Sequence, residues 1–225
     1  MAEKIGIQVN LLAFDTSYNA CSIALSKNGK VKVLHEVLPR QQAQCLLPMI
    51  QALLLDASLT LNHLDAVAYA CGPGSFTGIR IASSVAQGLG LALTKPIIQL
   101  SSLALLAQAA FLEKKWEKIL VAVDARMQQI YWAKYVVKAG IVELLDTEQL
   151  THANAISLPQ GKDWYGVGDG WEGYAENLIH TLSFTPYDIV STQLPTADAL
   201  MPLMLARLAK KEVITPKEAI PTYLR

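Results

Sequence analysis

Two strand-like runs joined by an Asn-Gly turn, close to the start of the chain, constrain the fold more than any other feature. Residues 21–26 alternate as a strand, residues 31–37 continue as another, and Lys27-Asn28-Gly29-Lys30 lies between them. Asn-Gly suits the tight hairpin turn whose two central residues both need positive φ. Before them, residues 9–14 form a continuous apolar run that stops at Asp15-Thr16-Ser17, where residues with turn chemistry take over. Three successive antiparallel strands argue against a simple Rossmann repeat, which opens strand–helix–strand.

The chain then turns helical over residues 42–57, with Ala43, Leu46, Leu47, Ile50, Leu53, Leu54 and Ala57 on one face. Pro48 must lie within the first turns of that helix or kink it. Residues 65–71 read as a buried strand broken by Gly72-Pro73-Gly74, and residues 75–93 as a helix with Ser75 or Thr77 available as N-cap. A strand at 96–100 leads to a third helix, capped by Ser101 or Ser102 and running to about Lys115. The second half opens in a similar style. An apolar strand at 119–124 ends in Asp124, a returning strand covers 130–137, and residues 140–165 are polar and less regular. Gly166-Val167-Gly168-Asp169-Gly170 is a glycine-rich turn, and a last helix lies near 199–211. This echo between halves suggests a duplicated α/β unit.

Composition narrows the function classes. The 225 residues are 52% hydrophobic and 17% charged, more apolar than an average soluble domain, and the surplus calls for a protein partner to cover it. Lys and Arg (19) balance Asp and Glu (19) with no basic run, so no strong direct grip on RNA is expected. No apolar run is long enough to cross a bilayer, and Met1-Ala2-Glu3-Lys4 leads to a short strand carrying Gln8 and Asn10 rather than to a signal peptide. The three cysteines, Cys21, Cys45 and Cys71, are widely spaced, as expected of reduced thiols in a cytoplasmic protein.

Three segments are specific: Phe14-Asp15-Thr16-Ser17, then Gly72-Pro73-Gly74-Ser75-Phe76-Thr77-Gly78-Ile79-Arg80, then Asp124-Ala125-Arg126-Met127 continuing to Tyr131-Trp132-Ala133. In this order, with Pro221-Thr222-Tyr223-Leu224-Arg225 at the end, the chain resembles the TsaB (YeaZ) family, from Leu11 onward. That family is related to the threonylcarbamoyl transferase TsaD and to the so-called glycoproteases. The resemblance implies a two-lobed, actin-like α/β fold of the Hsp70 and sugar-kinase type, with mixed sheets flanked by helices. Residues 1–102 would form the first lobe and 103–225 the second, with a C-terminal helix that can pack back on the first. It also implies a non-catalytic scaffold in tRNA threonylcarbamoyladenosine modification. Such a scaffold pairs with and activates TsaD, helps recruit the ATPase TsaE, forms a homodimer in isolation, and leaves ATP or ADP with Mg mainly to its partners.

The residues speak against most enzymatic alternatives. TsaD-type chemistry needs an H-x-x-x-H metal pair one helical turn apart, and the corresponding helix here carries Gln41-Gln42-Ala43-Gln44-Cys45. The four histidines, His35, His63, His152 and His180, are far apart. Ser75 lacks an evident histidine base and Cys71 lacks a cation to lower its pKa, so neither a peptidase nor another nucleophilic enzyme is indicated. An autonomous ATPase or kinase-like activity stays open. Asp15 with Ser17, and Asp124, stand where actin-like enzymes place phosphate- and metal-facing carboxylates, and Gly166, Gly168 and Gly170 resemble an adenosine-binding turn. For the scaffold reading, Gly78, Ala82, Ala86 and Gly90 form a small-residue row, and Ser84, Gly88 and Ala92 form a second one. With Leu46, Met49, Ile50 and Leu53, the first row makes the expected partner interface.

Overall fold

The computed structural model describes residues 9–37 and 39–224. The readings made for Met1–Lys4, Gln8 and Arg225 lie outside them. Packing divides the chain into two units. One runs up to Ser102 and takes in Thr196–Thr222; the other is built on Leu103–Pro195.

The first unit is a five-stranded sheet of β1 (Asn10–Asp15), β2 (Ala20–Lys27), β3 (Lys30–Val37), β4 (Ala66–Ala70) and β5 (Ile97–Leu100), in the order β3-β2-β1-β4-β5. β1, β2 and β3 are antiparallel neighbours, whereas β1–β4 and β4–β5 are parallel and therefore need helical crossovers. α1 (Gln42–Asp56) and α2 (Phe76–Leu93) supply these crossovers. Alternation along the strands sends Leu12, Phe14, Cys21, Ile23 and Leu25 toward both helices, where they pack with Leu46, Ile50, Leu53, Ala82 and Ala86. Pro48 sits inside α1, in its second turn.

Ser22, between Cys21 and Ile23, points to the other face, and its hydroxyl accepts a hydrogen bond from Ala197 N at 2.8 Å. A 3₁₀ turn (Ala197–Ala199) and α5 (Leu200–Ala209) cover that face. Residues 196–222, which include the C-terminal helix, belong with the first unit, so the second unit does not run unbroken from 103 to the end.

In the second unit, α3 (Ser102–Lys114) precedes β6 (Lys118–Arg126), β7 (Gln129–Lys138), β8 (Ile141–Leu144), β9 (Gln149–His152), β10 (Tyr165–Val167), α4 (Gly170–Leu182) and β11 (Ile189–Val190). The strand order is β11-β10-β6-β7-β8, with β9 also pairing β7. β6–β7 and β7–β8 are antiparallel, while β6–β10 and β10–β11 are parallel. The first sheet is thus repeated strand for strand, with β6 in the role of β1 and β10 in the role of β4. Gly72-Pro73-Gly74 after β4 corresponds to Gly168-Asp169-Gly170 after β10.

Two parts of the second unit escape the sequence pattern. Residues 140–165 contain β8 and β9, which are short and half polar. α4 is missed because Gly170 and Gly173 fall inside it and Tyr174 breaks its regularity at φ −130°, ψ 16°.

The β6–β7 turn stores strain. Arg126, Met127 and Gln128 all adopt left-handed φ, at 67°, 53° and 63°. Met127 is 89% exposed, so it has no packing to lose. Met127→Gly is expected to raise the unfolding free energy by about 0.5–1 kcal/mol, read from the urea midpoint.

Candidate functional site

The turn after β1 is built into the start of α2. Asp15 Oδ1 accepts from Ser17 N at 2.8 Å and from Ser17 Oγ at 2.5 Å. Thr16 Oγ1 donates to Gly78 O at 2.7 Å, and Ser75 N donates to Ser17 O at 2.8 Å. Ser75 caps α2 by accepting from Gly78 N at 3.3 Å. The glycines permit this contact. A β-carbon on Gly74 would stand 2.7 Å from Ser17 O, and one on Gly78 would stand 1.8 Å from Thr16 O.

Asp15 and Ser17 are consequently only 2% exposed. Burial pushes the Asp15 carboxyl up from 3.8 to about 6, against the downward pull of its bonds from Ser17. These two nucleotide candidates of the first unit are thus buried and bonded to each other through Asp15 Oδ1, with the first turn of α2 hydrogen-bonded against their turn.

The second unit uses its glycine-rich turn in the same way. A β-carbon on Gly168 would lie 2.2 Å from Ala122 O, on Gly170 2.9 Å from the same oxygen, and on Gly166 2.8 Å from the Trp171 ring. Gly166, Gly168 and Gly170 are buried; they bring β10 and α4 against β6 instead of offering backbone to a ligand. Asp124 remains reachable, its side chain 27% exposed. Its backbone N donates to Asp169 Oδ1 at 2.8 Å, and Arg126 N donates to its own Oδ1 at 2.9 Å.

Asp124, Asp169, Glu172, Gly173 and Tyr174 line an open cleft of about 350 Å³. Burial raises the Asp169 carboxyl, and the neighbouring Asp124 charge adds to the rise. The wall thus carries three carboxylates, and the Arg126 guanidinium stands 3.6 Å from Asp124 Oδ2. Among the described residues, no three His, Cys, Asp or Glu side chains are grouped to hold a metal ion.

The helix pair requires the largest correction. Leu46, Met49, Ile50 and Leu53 are 0–6% exposed, Ala82 and Ala86 are 0% exposed, and Gly78 and Gly90 are buried. All eight belong to the chain's own interior. A β-carbon on Gly90 would stand 2.3 Å from Ile97 Cδ1, so this row lets α2 lie close on the sheet. The second row, Ser84, Gly88 and Ala92, points outward, and nothing lies within 4 Å of where a Gly88 β-carbon would be.

Leu91 (63% exposed) on α2, and Leu47 (53%) and Leu55 (69%) on α1, are large apolar side chains that these helices leave exposed. Phe76, at the start of α2, is 64% exposed and carries the Arg80 guanidinium over its ring, 3.2 Å from the centroid. The signal was present in the sequence: Leu55 and Leu91 are apolar residues out of phase with the buried stripe of their helices.

Comparison with known proteins agrees with this architecture. Residues 31–167 match the family model described as TsaD, tRNA N6-adenosine threonylcarbamoyltransferase. The tRNA threonylcarbamoyladenosine biosynthesis protein TsaB of Escherichia coli K12 is 34% identical, covering 96% of this chain and 95% of that one. The protein of the same name from Haemophilus influenzae is also 34% identical, over 96% and 94%. The structure of YeaZ from Pseudomonas aeruginosa superposes with a TM-score of 0.91 at 40% identity, covering 96% of this chain and all of that one. With this match over nearly its whole length, the chain belongs to the TsaB (YeaZ) family, which takes part in the biosynthesis of threonylcarbamoyladenosine in tRNA.

Proposed function

We propose that this chain is a non-catalytic scaffold subunit in threonylcarbamoyladenosine modification of tRNA. It docks on the transferase TsaD through the outer faces of α1 and α2, favours the active form of TsaD, and helps recruit the ATPase TsaE. One observation carries the reading. The carboxylate where an actin-like enzyme would face phosphate is sealed at 2% exposure, while Leu47, Leu55 and Leu91 stand open on the two helices of the same unit. In isolation these faces pair with a second copy, and TsaD displaces that copy. ATP or ADP with Mg is carried by the partners, and the complex works in the cytoplasm. No helix among the described residues is long and apolar enough to cross a membrane.

Gly88→Arg tests the docking face. The site is open, so the variant should fold with an unchanged circular dichroism spectrum. It should elute as a monomer, bind TsaD at least about tenfold more weakly, and lose tRNA modification in a reconstituted reaction. Normal pairing and normal modification by this variant would show that the outer face is not the docking site. Calorimetry with Mg-ATP separates the scaffold from an autonomous ATPase or kinase: a micromolar site on the isolated chain would favour the enzyme.

A further inference from the structure

We propose that Asn28 is a site of spontaneous covalent modification in the folded protein. The Gly29 backbone nitrogen attacks Cγ of Asn28, a C–N bond forms to close a succinimide ring, and the side-chain nitrogen leaves as ammonia with the Gly29 proton. Water then opens the ring at either carbonyl, leaving aspartate or isoaspartate. Atoms balance and no oxidant enters.

Four features of the β2–β3 turn carry this step. Asn28 and Gly29 are both exposed, with φ of 52° and 79°. The hairpin closes through the Lys27–Lys30 pair, leaving the Gly29 N–H outside the ladder, and neither it nor the Asn28 amide has a hydrogen-bond partner among the described residues. Apart from its chain neighbours, no atom lies within 4 Å of a β-carbon built on Gly29, so the tip of the turn stands clear of the rest of the protein. Lys27 and Lys30 flank the turn, and their charges favour both the deprotonated nitrogen and the new carboxylate.

The product matters beyond the turn. Isoaspartate adds a backbone atom to a two-residue loop, which no longer matches the turn that sets the register of β3. The same hairpin holds the end of α1: Lys27 Nζ donates to Ala57 O at 2.6 Å, and Lys32 pairs with Asp56. Loosening of these ties would weaken docking through Leu55. That consequence rests on the function proposed above; the covalent step does not.

The test is peptide-mapping mass spectrometry of the full chain, kept folded in mildly alkaline buffer. The amide-to-acid mass gain should appear at Asn28 ahead of Asn10, Asn19, Asn62, Asn154 and Asn177, rise in rate with pH, and include isoaspartate. In Asn28→Gly, which keeps a turn-forming residue, the early acidic species on ion exchange should vanish. Earlier conversion at another asparagine would overturn the site, as would an Asn28 that stays intact in the folded chain while the denatured chain converts. The separated acidic species, mixed with TsaD, should pair more weakly; equal pairing would refute the link to α1 and leave the modification standing.

Discussion

Gly78→Ala and Gly88→Ala, the same change within one helix, should move stability in opposite directions. At Gly88 the new methyl meets nothing within 4 Å, and replacing a mid-helix glycine by alanine gains about 1 kcal/mol. At Gly78 the same methyl would stand 1.8 Å from Thr16 O, a backbone atom held by the Thr16–Gly78 and Ser17–Ser75 hydrogen bonds. Either α2 lifts off β1 or the turn after Asp15 opens. Both outweigh the propensity gain, and a net loss of about 3 kcal/mol is expected. Urea unfolding of the two variants beside the parent chain checks this. A Gly78→Ala midpoint at or above the parent's would mean that α2 is not seated against that turn.

The second large effect is a pH dependence centred on Asp15. A fully buried carboxyl raised from 3.8 to about 6 binds its proton more tightly in the folded chain, by about 3 kcal/mol. The sign follows from the direction of the rise. The contribution is complete below the unfolded value of 3.8, falls away as pH climbs toward 6, and stays lost above it. Asp169, also raised, acts in the same sense, whereas Asp163 and Glu218, lowered by Lys118 and by Thr215, act in the opposite one. Asp15→Asn isolates the group. Relative to the parent, the variant should gain about 2–3 kcal/mol between about pH 4 and pH 7. A difference that does not change with pH would mean that Asp15 is hydrated in the folded protein.

The sequence was most legible where signals are local. Asn28-Gly29 marks the hairpin, Gly72-Pro73-Gly74 marks the end of β4, and Ser75 marks the first turn of α2, because each needs only its neighbours to act. The echo between halves was legible as well, since an apolar strand ending in aspartate and followed by a hairpin occurs twice. α4 was hidden by its own glycines and by the irregular Tyr174.

The candidate interface failed for a different reason. Two small-residue rows on α2 have the same chemistry, and only Thr16 O and Ile97, brought in from other parts of the chain, decide which row is inside. Apolarity marks a docking surface and an interior alike, so Leu46 and Leu47 cannot be told apart by type, although the first is buried and the second is 53% exposed. Asp15 was misread similarly: its place at a strand end was right, and its exposure was fixed by α2 arriving from much later in the chain.

In the first unit, the first turn of α2 is hydrogen-bonded into the turn after β1, which braces the outer helix pair from beneath. Under the docking proposed above, the binding face would then need no small molecule to arrange it. How much of it is engaged in a cell would then follow the abundance of its partners rather than the swings of a metabolite.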